Sequence, residues 1–132
     1  MITPPTEAEF DDLIARAIGQ LSREGIEGLE NVAITSADAP TPDQLQKLQM
    51  RGDQLLLGLY EGVPLTKRGI HYNFALPDKI TLFRLALAHV ATDEGDLFKR
   101  IRHTLWHEVA HYYGLDHPAI YALEKRSPQE NQ

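Results

Sequence analysis

Apolar positions along the chain fall into two kinds of run, helical stripes and short strand-like segments. Phe10, Leu13, Ile14, Ala17, Ile18 and Leu21 recur at helical spacing and predict an amphipathic helix with one stripe turned to a core. Thr6 with Glu9 three residues on forms a capping-box pair at its start, and Gly25 supplies the left-handed residue that stops it. "LENVAITS", with Val32 and Ile34 set against smaller or polar neighbours, predicts a strand. "QLLLGLY" predicts a short buried strand, and "KITLFRL" a third. Between the first two, Thr41 as cap and Pro42 in the first turn predict a short helix ending near Gly52.

"EGVPLTKRGIHYNFALPD" is broken by Gly62, Pro64, Gly69 and Pro77 and predicts a loop. A loop of that length in a small domain is often functional. From about Asp96 to Tyr113 the pattern is helical again, closed by Gly114, and "AIYALEKR" predicts a short last helix before a polar tail. With no repeat, linker or low-complexity segment, these elements predict one α+β domain over residues 1–132.

Composition narrows the classes. A chain of 132 residues holds one modest core and not two. The net charge of -6 argues against a general nucleic-acid surface. There is no cysteine, so disulfides are excluded and any metal site must use histidine and carboxylate ligands. The start has no basic segment followed by an apolar run, and no apolar stretch approaches the roughly 20 residues that span a bilayer. A cytoplasmic setting and no membrane partner are therefore expected.

The chemistry concentrates in "HTLWHEVAHYYGLDH", residues 103 to 117, which hold four of the six histidines. On a wheel of about 100° per residue, Leu97, Phe98, Ile101, Leu105, Val109, Tyr112 and Tyr113 share one broad arc. His103, His107 and His111 lie on the nearly opposite side, with Glu108 at the edge of their arc. His107 and His111, one turn apart, project side by side and can converge on one ion. Glu108, next to the first of them, is placed to reach a water on that ion instead of the ion itself. "HEVAH" is the H-E-x-x-H motif of zinc metalloproteases.

Gly114 and His117 extend it to H-E-x-x-H-x-x-G-x-x-H, in which the glycine lets the chain turn and bring His117 back as a third ligand. Three protein ligands with a fourth position open define a catalytic zinc site. His103 is read as lying outside the ligand set. Manganese, iron and nickel also accept imidazole ligands, so the spacing does not choose among these metals.

These residues resemble those of the minimal zincin-like metallopeptidases, small single-domain bacterial proteins once classed as a domain of unknown function. The resemblance covers most of the chain and is carried by "LLLGLYEGVPLTKRG", "LPDKITLFR" and the histidine run. It implies a small mixed β-sheet packed against the active-site helix and one zinc per chain at His107, His111 and the residue at 117. Related sequences often look to have aspartate where His117 stands, so Asp116 is a rival third ligand, and Glu124 a weaker one. The long motif also resembles that of the metzincins, which carry a methionine turn below the metal. Here Met1 and Met50 both precede the motif, so a strict metzincin assignment fails.

The expected activity is hydrolysis of peptide bonds in a peptide or protein substrate. Glu108 would take the proton of the attacking water and deliver it to the leaving amine. Tyr60, His71, Tyr72 and Arg84 are candidates for stabilising the oxyanion. "KITLFR" is a candidate sheet edge for an extended substrate, in which case a peptide-like inhibitor would protect the amides of residues 79 to 84. Two other readings compete with this one. One is a metal-binding module with little hydrolytic activity that works through a protein partner or a second copy of itself. The other is an interaction domain with a vestigial motif.

Overall fold

The computed structural model describes residues 1–26, 29–50, 55–62 and 78–114. Its element order is helix α1 (Glu7–Arg23), a 3-10 turn (Leu29–Asn31), strand β1 (Ala33–Ala37), helix α2 (Pro42–Lys47), strand β2 (Gly58–Glu61), strand β3 (Lys79–Phe83), helix α3 (Arg84–Val90) and helix α4 (Glu94–Tyr112). The class is α+β, as expected, with a three-stranded mixed sheet ordered β1-β3-β2. β1 runs parallel to β3, and β2 antiparallel to it.

Local chemistry sets most of these boundaries. The Thr6 hydroxyl accepts from the Glu9 N–H at 3.1 Å while Glu9 accepts from the Thr6 N–H at 2.8 Å, so two of the helix's orphan donors are satisfied reciprocally. Thr41 and Gln44 repeat the device at α2. That helix ends at Lys47, earlier than the expected stop near Gly52, with Gln49 rather than a glycine in the left-handed region at φ 56°. α4 begins at Glu94, two residues before expectation, because Asp93 caps it through the Asp96 N–H at 2.7 Å.

Of the expected α1 stripe, Phe10, Ile14, Ala17 and Leu21 are buried, and Leu13 and Ile18 pack at the margin. They meet Leu97, Ile101, Leu105 and Val109 of α4 and Ile80 and Leu82 of β3 in one core. α4 packs against α1 and against β2 and β3, while α1 also reaches the sheet at β1.

Two expectations about "KITLFRL" fail. The strand stops at Phe83, and Arg84 opens a seven-residue helix where no element was expected. Arg84 is held there by Asp38 Oδ1 at 2.9 and 3.0 Å and by the Pro5 carbonyl at 2.7 Å, partners distant in sequence. Leu and Ala are strong helix formers, so "LALA" favours a helix once the chain is turned. β3 is also the central strand and not an edge, since it pairs on both sides. Ile80, Thr81, Leu82 and Phe83 are all buried, the continuous burial of a strand with neighbours on every side. Its amides are committed to the ladder, so it is not available to hold an extended substrate.

A candidate metal centre on helix α4

The two ring nitrogens and the carboxylate of the motif meet on the last two turns of α4. His107, Glu108 and His111 each offer one donor atom, and these atoms lie within 4.8 Å of one another. The His107 and His111 rings are 5.0 Å apart and nearly perpendicular at 74°, one turn apart on the same face as the spacing predicted. Both are half-buried. Donors on one zinc at about 2.0–2.1 Å lie no more than about 4.2 Å apart, a span that side-chain rotation reaches from here. This group could bind a metal ion.

His103 is exposed and stacks on Trp106, with ring centroids 6.3 Å apart, while its ring lies 6.4 Å from His107. Gly114 has φ 88° and follows the helix end as expected. His117, its rivals Asp116 and Glu124, the candidates His71 and Tyr72, and the expected helix "AIYALEKR" lie outside the described residues.

Glu108 keeps its place at the edge of the histidine face, but it is buried there, 8% exposed, with its Oε1 accepting the Tyr60 N–H at 2.9 Å. Burial pushes its carboxyl up to about 7, and the bond from Tyr60 offsets only part of that. Leu57 accepts the Phe83 N–H at 3.0 Å, so residue 57 faces β3 and, by the alternation of a strand, residue 60 faces away. The Tyr60 amide thus leaves the ladder and holds the carboxylate instead.

Gly58 makes this approach possible. A Cβ there would stand 2.6 Å from Thr104 Cγ2, 3.2 Å from a Leu82 methyl and 3.4 Å from Glu108 Cγ. Thr104 and Glu108, one turn apart and both buried, therefore form a third face of α4 that the wheel did not reveal. The missed residue left a sequence signal: an isolated glycine inside a strand-like run marks close approach of another element. Gly58→Ala is expected to cost about 1–3 kcal/mol by overpacking, read as a lower urea midpoint. An unchanged midpoint would mean that α4 moves aside freely.

Of the oxyanion candidates within the described residues, Arg84 is committed to Asp38 and Pro5, away from that role. The Tyr60 hydroxyl donates to Asp78 Oδ1 at 2.6 Å.

The family model of zincin-like metallopeptidases matches residues 29–126, which span β1 to beyond the histidine motif. The chain belongs to that family. No curated protein matches it. None of the helices among the described residues is long and apolar enough to cross a membrane.

Proposed function

We propose that this chain is a zinc-dependent peptidase of the cytoplasm, acting on peptide or protein substrates. In this reading His107, His111 and His117 hold one zinc, and Glu108 is the general base. The observation that supports it most is a buried carboxyl beside two converging imidazoles, with the carboxyl raised to about 7. A bound zinc ion would supply a Lewis acid that polarises a peptide carbonyl and acidifies water.

The remaining chemistry falls to the chain itself. With Oε1 held by the Tyr60 amide, Oε2 of Glu108 is the atom that takes a proton from water and returns it to the leaving nitrogen. The buried wall made by Thr104, Gly58 and Leu82 keeps bulk water from the other side of the carboxyl.

The test is digestion of a broad peptide library, with and without chelator, by protein purified without added metal or a histidine tag. About one zinc per chain and cleavage abolished by chelator are expected. Zinc without cleavage would leave a metal-binding module. Absence of zinc would remove the reading altogether.

A further inference from the structure

Glu108 is held by a backbone amide, so whatever fixes that amide also fixes the carboxylate. Tyr60 is anchored at three points. Its N–H donates to Glu108 Oε1 at 2.9 Å, its ring meets Tyr112 edge-on at 5.9 Å, and its hydroxyl donates to Asp78 Oδ1 at 2.6 Å. Tyr112 follows His111 directly on α4, so the ring contact touches the same turn that carries the second imidazole.

Asp78 stands immediately before β3, and Gly62 immediately after β2. A Cβ at Gly62 would come 2.3 Å from Asp78 Oδ1 and 2.8 Å from the Tyr60 hydroxyl. A side chain at 62 would thus collide with this hydrogen bond. Between Tyr60 and Gly62, Glu61 accepts from Gln44 Nε2 at 3.0 Å and lies 3.9 Å from Lys79 Nζ, which steadies the same end of the strand pair.

We propose that Tyr60 and Asp78 are positioning residues for Glu108: the hydroxyl-to-carboxylate bond locks the end of β2 so that its outward amide stays on the Glu108 carboxylate. The proposal rests on the reading of Glu108 as base for its catalytic consequence, but the anchor itself is a property of the metal-free chain. A strand end can shift along its neighbour by a fraction of an ångström at little cost. A short bond between side chains of adjacent strands removes that freedom.

The experiment compares the parent with Tyr60→Phe, Asp78→Ala and Asp78→Asn in the metal-free protein by native-state hydrogen exchange at the amide of residue 60. Losing the anchor is expected to speed that exchange about tenfold in Tyr60→Phe and Asp78→Ala, the equivalent of one net hydrogen bond. Amides of residues 59 and 61, which face β3, should keep their rates. Asp78→Asn keeps an acceptor oxygen and should stay within about twofold of the parent.

In metal-loaded protein with a peptide the parent cleaves, the first two variants should lower kcat about tenfold. KM and zinc content should be unchanged, and Asp78→Asn should restore the rate. Unaltered exchange at residue 60, or an equal rise across 59 to 61, overturns the anchor. A faster exchange at residue 60 with kcat at the parental value overturns the positioning role as well. If the parent cleaves no peptide, the peptidase reading falls, while the exchange rates still decide whether the anchor exists.

Discussion

Glu108→Gln is expected to raise the stability of the metal-free chain at pH 8 while cutting peptide hydrolysis by about 10²–10⁴. The stability half follows from burial. The carboxyl rises from 4.5 to about 7 because ionising it beneath the sheet forfeits hydration that one amide bond does not replace. A raised carboxyl contributes stability that is complete below about pH 4.5 and is lost as pH climbs through about 7. At pH 8 the parent has therefore lost about 3 kcal/mol, an order-of-magnitude figure from about 2.5 units at 1.36 kcal/mol each.

Glutamine is neutral throughout and its Oε1 still accepts the Tyr60 N–H, so the variant loses nothing as pH rises. The two proteins should unfold alike near pH 4, diverge steadily above about pH 4.5 and reach their full separation above about pH 7, measured as urea unfolding free energy against pH. Glu9, held low by the Thr6 N–H and hydroxyl, and Asp96, held low by Arg100 and the Thr92 N–H, shift stability the other way. Their contributions are present above their ordinary carboxylate range and fade as pH falls through the lowered values. They are common to both proteins and cancel in the difference. A bound cation favours the ionised form, so metal should narrow the gap. Equal stability at pH 8 in metal-free protein would show that Glu108 reaches water and is not the buried acid described here.

His107→Ala and His111→Ala should each weaken zinc binding by at least about 100-fold, yet leave the metal-free chain nearly as stable as the parent. Both side chains are half-buried on a helix whose apolar contacts come from other faces, and alanine is the best helix former. What changes is the response to metal. At free zinc 100 times the parental Kd, ligation should add about 2.7 kcal/mol to the parent, and only about 0.4 to a variant bound 100-fold more weakly. Thermal unfolding with and without zinc reads this directly. A variant that keeps the full rise on adding zinc would strike that histidine from the ligand set.

Legibility in the sequence tracks how local each signal is. The capping box at Thr6, the cap at Thr41, the stripe from Phe10 to Leu21 and the helix end at Gly114 are written in residues close in sequence, and each appears where it was read. The convergence of His107 and His111 is likewise helix arithmetic. α3 and the order of the strands were not legible. Arg84 ends β3 through Asp38 and Pro5, 46 and 79 residues away, and no window of sequence contains those partners. An apolar run such as "ITLF" marks a buried strand, but which strands flank it depends on the fold.

The sequence by itself determined the α+β class, the helix that carries the motif and the pair of imidazoles on one face, because periodicity and i, i+4 spacing act within a single element. Only the tertiary structure decided the environment of Glu108. A wheel ranks residues by angle around their own axis and knows nothing of what stands opposite. It took a glycine on β2, 50 residues upstream, to admit α4 so closely that a carboxylate at the rim became a buried acid bonded to a strand amide. Desolvation depends on neighbours in space, and that is why the proton affinity of this residue, unlike its position, belongs to the fold.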